Sequence, residues 1–359
     1  MGMGVDSKCQ EITFAKSINE ALNLALSIDD KVICYGLGVD DPKRIFGTTE
    51  GLQEKYGKDR VFDMPTAENA MTGIAIGASL AGVRPVMVHQ RLDFFLLAMD
   101  QLVNSAAKWH YTFNGQSSVP ITIRLILGRG WGQGPTHSQS LQSWFSHIPG
   151  LKVVMPAFPD DAKGLLLSSI FDDNPVVFLE HRWLHNMVGT VRSGDYRVPL
   201  GKARTVREGS DITIVSMSYM TVEGLHAVDF LHELNINCEL VDLRTVSPID
   251  WSAIYSSVRK TGRLLVLDTG AETGSIAGEI ITRVCKECWD VLKLYPDRIA
   301  MPDCPEPTSY ELTKHFYPTA DTISLKICEM LGKNTTTDKL VTVQKEHHDV
   351  PGDWFKGPF

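Results

Sequence analysis

Short apolar runs alternate with amphipathic stretches along most of this chain, and that alternation constrains its fold more than any other feature. Val32 to Tyr35, Arg60 to Asp63, Pro85 to Val88, Ile121 to Ile126, Lys152 to Met155 and Val176 to Leu179 read as strands. Segments of helical period lie between them. Thr13 can cap a helix whose apolar face carries Ile18, Leu22 and Ala25. Residues 69–81 are rich in Ala, Ile and Gly, and Gly73 and Gly77 fall on one helix face, where they allow close packing. Residues 96–110 and 161–171 complete the series. Strands that alternate with helices predict a mostly parallel sheet covered on both faces.

The rhythm lapses from His185 to Ala203 and then resumes. Residues 212–215, 238–241 and 264–267 read as strands, and 222–234, 254–260 and 276–289 as helices. The expected fold class is therefore α/β, with two doubly wound domains. We place the first at 1–190, a linker at 191–205, the second at 206–335 and a polar tail at 336–359, which reads as an arm or a disordered end. A chain of 359 residues suits two domains of roughly 100–200 residues each. Its 43% hydrophobic content can fill both cores.

Several function classes are disfavoured. A net charge of −8 argues against a broad nucleic-acid face, which needs clustered Lys and Arg. No apolar run approaches the roughly 20 residues that span a bilayer. Residues 1–10 show no basic region followed by an apolar stretch, so no secretory signal is read there. Seven scattered cysteines, an odd number, point to a reducing cytoplasm rather than a disulfide framework. Cys285 and Cys288 form a lone C-x-x-C without a second ligand pair, which reads as two cysteines on one helix face rather than a zinc site. The Gly-rich run from Gly128 to Gly134 lacks the Lys-Ser/Thr of a P-loop and the spacing of a dinucleotide fold.

Three segments carry the chemistry. Asp63-Met-Pro-Thr-Ala-Glu68-Asn-Ala-Met-Thr-Gly places a glutamate between a strand end and an apolar helix. Ligands of open α/β sheets bind at the carboxyl ends of strands, although a glutamate there can equally serve the helix dipole. Thr136-His137-Ser138-Gln139 follows the Gly-rich loop, and Val241-Asp-Leu-Arg244-Thr-Val-Ser-Pro248 lies in the second series. In order and spacing these segments resemble the β subunits of the pyruvate and branched-chain 2-oxo acid dehydrogenases, within the wider transketolase-like group. The resemblance runs from about Thr13 to about Leu331. It implies a pyrimidine-binding thiamine-diphosphate domain followed by a transketolase C-terminal-like domain that serves assembly.

The resemblance also implies roles. Glu68 matches the glutamate that hydrogen-bonds N1′ of the aminopyrimidine, so that the cofactor's own amino group can deprotonate C2. Phe94 matches the aromatic residue packed on that ring, whereas by itself it would read as a core residue beside Phe95. His137 matches a histidine at the mouth of the site that assists proton transfer or acyl handover. Many relatives hold a structural potassium on backbone carbonyls. The matching positions are Ile121, Ser169, Ile170, Asp172 and Asn174, and a helix C-terminal turn without an ion is the alternative. The chain has no Gly-Asp-Gly, the motif that with a later Asn holds Mg²⁺ and the diphosphate. An α subunit is thus expected to hold the Mg²⁺, in an α2β2 heterotetramer, with a lipoyl acyltransferase core as a further expected partner.

Two departures flank the substrate path. His89-Gln-Arg-Leu-Asp93 replaces the usual residues before the pyrimidine aromatic, and Arg129 and Trp131 stand where small residues are usual. They keep one rival open, the C-terminal half of a split transketolase, with Arg91 and Arg129 as phosphate anchors at the site mouth. A second rival, a non-catalytic stabilising partner, is opposed by the presence of both Glu68 and His137.

Overall fold

Strand residues that are apolar toward both faces need cover on both sides, and this chain supplies it twice. The computed structural model describes residues 9–41, 43–129 and 132–333. The described residues fall into two compact units: those within 9–127 and 145–200, and those within 128–144 and 201–333.

In the first unit six strands run parallel, in the order Lys152–Val154, Val176–His181, Thr122–Leu127, Arg84–His89, Val32–Gly36 and Val61–Asp63. Thr122–Leu127 and Val176–His181 are buried along their whole length, which is why they read as continuous apolar runs. Thr13 caps the helix Phe14–Ile28 by accepting from Lys16 N at 3.1 Å, and Ile18, Leu22 and Ala25 are buried as the period required. That helix packs beside Pro159–Ile170.

The core of this unit also holds charge. Arg124 Nε donates to Glu180 Oε1 at 2.6 Å and Nη2 donates to Oε2 at 2.9 Å, while His185 Nε2 lies 3.2 Å from Oε2. All three side chains are fully buried. Burial pushes the Glu180 carboxyl up, but Arg124 and His185 outweigh it and hold it below its usual range. Burial pushes the His185 imidazole down to about 4, against the opposing pull of Glu180.

The second unit is a five-stranded sheet in the order Asp297–Met301, Leu264–Ala271, Ile212–Ser216, Cys238–Asp242 and Arg204–Arg207. Its pairs are parallel except the last, where Arg204–Arg207 runs antiparallel along the edge. Leu231 of the helix Tyr219–Glu233 and Ile323 and Ile327 of the helix Ala320–Met330 close over Ile214, Leu240 and Leu265.

The structure departs from the sequence reading in four places. Val188–Arg192, inside the stretch read as a connection, is a strand that pairs antiparallel with Cys9–Thr13. Both are short and half exposed, so neither shows an apolar pattern. The segment read as one helix over 96–110 is a 3₁₀ turn at Leu96–Ala98, a π-helical stretch at Gln101–Ala106 and an α-helix at Ala107–Thr112. Cys288 caps the helix Ile276–Glu287 instead of sharing its face with Cys285. A Cβ on Gly73 would lie 3.5 Å from Gln101 Oε1, but no described residue would meet one on Gly77. The tail read over 336–359 lies outside the described residues.

Candidate active site

The first sheet reverses direction of growth at the strand Val32–Gly36. The chain passes from it to Val61–Asp63 on one side and then to Arg84–His89 on the other. Ligands of such sheets sit at the carboxyl ends of the strands flanking this point. Val32–Gly36 and Arg84–His89 approach closely there, since a Cβ on Gly36 would fall 2.1 Å from Val88 O. Asp63 Oδ1 accepts from Val39 N at 2.7 Å and ties the loop after the first of these strands to the end of its neighbour.

Glu68 follows Val61–Asp63 and is the first residue of the helix Glu68–Leu80. It is 5% exposed. Its backbone carbonyl accepts from Thr72 Oγ1 at 2.8 Å, but no described residue donates to its carboxylate. The residue is largely buried, yet its carboxylate oxygens keep contact with solvent, so the carboxylate is open to a donor from outside. A ring nitrogen carrying a proton is such a donor, so the residues present fit an aminopyrimidine.

Phe94 follows Arg84–His89 in the short helix Leu92–Phe95. The two adjacent phenylalanines divide their work. Phe95 is fully buried, with ring centroids 5.0 Å from His89 and 6.4 Å from Phe145, whereas Phe94 is 37% exposed. Phe94 is thus no core residue, and a flat apolar face at this edge suits an aromatic ligand. His89 is fully buried with no described partner at either ring nitrogen, and burial pushes its imidazole down to about 3.

His137 belongs to the second unit. It is half-buried, its Nδ1 lies 3.0 Å from Thr136 Oγ1, and its amide donates to Gly134 O at 3.3 Å. At the end of the same segment Gln142 Nε2 donates to Asp268 Oδ1 at 2.6 Å, with both side chains buried. Asp268 also accepts from Gly270 N and Ala277 N. Nothing in the local sequence signalled this pairing, because its partners lie 126 residues apart.

Comparison with known proteins identifies both domains. The transketolase pyrimidine-binding domain matches residues 10–187 and the transketolase C-terminal domain matches 201–323. The β subunit of acetoin:2,6-dichlorophenolindophenol oxidoreductase from Cupriavidus necator is 38% identical over 325 residues, covering 88% of this chain and 96% of that one. The mitochondrial pyruvate dehydrogenase E1 component subunit beta-2 of Oryza sativa subsp. japonica is 38% identical over 318 residues, covering 88% and 85%. The chain belongs to the β-subunit family of the thiamine-diphosphate-dependent 2-oxo acid dehydrogenases. A solved structure titled split gene transketolase, inactive beta4 tetramer, is 20% identical with a TM-score of 0.70 over 90% of this chain, a likeness of fold alone.

In this β subunit the two arginines considered as phosphate anchors are both buried. Arg129 is 4% exposed and its guanidinium lies 3.9 Å above the Tyr317 ring. Arg91 is 3% exposed. Trp131 lies outside the described residues. The carbonyls considered for potassium gather at the opposite, amino edge of the first sheet. Ser169 O accepts from Thr122 Oγ1 at 3.0 Å and Ile121 O from Val176 N at 3.0 Å. Asn174 donates its amide to Asp172 Oδ1 at 2.9 Å. The guanidinium of Arg84 donates to Ile170 O at 3.4 Å and to Asp172 O at 3.1 Å. A cationic group already serves two of the five carbonyls, so we route no step through potassium.

Proposed function

We propose that this chain supplies the pyrimidine half of a thiamine-diphosphate site that decarboxylates a 2-oxo acid and hands the acyl group to an acceptor such as a lipoyl group. The observation that carries the reading is that Glu68, largely buried and with no described donor to its carboxylate, and the exposed ring of Phe94 both follow strands at the carboxyl edge of one sheet. Thiamine diphosphate, when bound, supplies a nucleophilic carbon and an electron sink for the departing carboxylate. Glu68 holds or accepts the proton at N1′ of its pyrimidine, and Phe94 excludes water from one face of that ring. His137 moves a proton at the reacting oxygen or during acyl handover.

The diphosphate and its Mg²⁺ are assigned to an α subunit. The sequence has no Gly-Asp-Gly, and no cluster of three His, Cys, Asp or Glu side chains is found among the described residues. A surface suited to such a partner lies on the outer face of the helix Glu68–Leu80. There no described residue would meet a Cβ on Gly77, Ile74 is 58% exposed, and nearby Leu97 is 69% exposed. We assign the assembly as α2β2, with a lipoyl acyltransferase core downstream. A cytoplasmic location agrees with seven cysteines that form no disulfide. No described helix is long and apolar enough to cross a membrane.

The test is Glu68→Gln in the reconstituted α–β enzyme, assayed on 2-oxo acids with an artificial electron acceptor. The expected loss is at least ~100-fold in turnover, the scale of removing a positioned proton-transfer group, with unchanged Tm. Full activity of the variant would sink the assignment.

A further inference from the structure

The second sheet has its own reversal point, between Ile212–Ser216 and Leu264–Ala271. The two strands pair only as far as Val215 and Val266, and beyond that they part. In an open α/β sheet this is where a ligand would sit. Here polypeptide fills the place. Gln142 reaches Asp268 at 2.6 Å, two residues past the last pair. Gly270 makes room for it, since a Cβ there would fall 2.9 Å from Gln142 Nε2 and 3.2 Å from Ser140 O.

The same segment is held at two further points. At its start Arg129 lies over the Tyr317 ring and hydrogen-bonds Tyr219, whose hydroxyl donates to Glu223. Glu223 Oε2 in turn accepts from Ala320 N at 2.7 Å. In its middle, Gly134 takes a φ of +67°, and a Cβ there would fall 2.3 Å from Thr308 Oγ1. His137 lies between these fastenings.

We propose that Gln142 and Asp268 are positioning residues for His137: the second domain uses the crevice where its fold would bind a ligand as a socket for the loop that carries the histidine. The domain assigned to assembly thereby takes part in acyl handover. This inference rests on the role given to His137 above, so its test includes a readout that does not depend on turnover.

Three forms of the α–β enzyme are compared: wild type, Gln142→Glu, and Gln142→Glu combined with Asp268→Asn. The single variant sets two carboxylates against each other in a buried place; the double variant removes that repulsion and gives the pair a donor and an acceptor, at the cost of one backbone N–H that Asp268 served. Amide hydrogen exchange over residues 132–141 should rise about 10-fold in the single variant and fall part of the way back toward wild type in the double. Acyl transfer to a lipoyl acceptor should fall by about 10-fold and recover in the same order, while decarboxylation measured with an artificial acceptor changes less than ~3-fold. Unchanged exchange over 132–141 in the single variant overturns the proposal. So does a rise spread evenly over the second unit with a falling Tm, which would make the pair a general brace. If exchange follows the expected order while no 2-oxo acid is turned over by any form, the socket stands and the assigned reaction fails.

Discussion

The two units follow one plan, a doubly wound sheet with a reversal point, and differ in what occupies that point. In the first, the carboxyl edge carries a largely buried glutamate whose carboxylate has no donor among the described residues, and an exposed aromatic ring. In the second, the equivalent crevice is filled by a side-chain amide on a buried aspartate. The units also place their buried charge differently. The first pairs Glu180 with Arg124 and His185, all fully buried, and the second buries Asp268 against Gln142. On the proposed assignments, the same architecture serves as a cofactor edge in one unit and a socket in the other, according to a handful of side chains at strand ends.

The sharpest way to break this comparison is Glu180→Gln. It leaves Arg124 buried with half its partner gone, and should cost on the order of 3–5 kcal/mol, lowering the Tm of the transition that belongs to the first unit and leaving exchange protection in the second intact. Equal losses in both units, measured by site-resolved hydrogen exchange, would show that they do not unfold separately.

Mild acid gives a smaller effect with a definite sign. His185 has a folded value near 4 against an ordinary 6.5, so the unfolded chain binds the proton better between these values. The stability it contributes is complete above about pH 6.5 and is lost as pH falls toward 4, on the order of 3 kcal/mol. Glu180, held low, acts in the same direction, its contribution present above its ordinary value and lost below. Asp268, raised by burial, acts oppositely: its contribution is present at low pH and lost as pH rises through its folded value. The first unit should therefore lose exchange protection before the second as pH is lowered from 6.5 to 4. The reverse order would refute the assignment of these shifts.

The smallest effect compares helix caps. Thr13 makes one exposed bond, to Lys16 N, whereas Asp250 accepts from Ala253 N, Ala203 N and Ser252. Thr13→Ala should cost about 0.5–1 kcal/mol and Asp250→Ala about 1–2 kcal/mol, read as shifts in denaturant midpoint.

The alternation of strands and helices was legible because fully buried strands such as Thr122–Leu127 are apolar throughout, and because Thr13 and the face of Ile18, Leu22 and Ala25 obey local rules. Glu68 was legible as a glutamate between a strand and a helix, and the family resemblance supplied its role. The ribbon of Cys9–Thr13 with Val188–Arg192 was not, since half-exposed strands carry no apolar period and their pairing spans the whole first unit. The opposite fates of Phe94 and Phe95 depend on the turn that follows His89, which composition does not encode. The pairing of Gln142 with Asp268 was invisible for a related reason: each residue alone is an ordinary polar side chain, and only the tertiary fold makes them neighbours.

That long span bears on how the chain is made. Gln142 leaves the ribosome 126 residues before Asp268. At about 5–20 residues per second the loop waits roughly 6–25 seconds for its socket. Throughout that interval the first sheet can form while the segment bearing His137 hangs from it without its mount, a window in which a chaperone or a protease meets this stretch before the enzyme does.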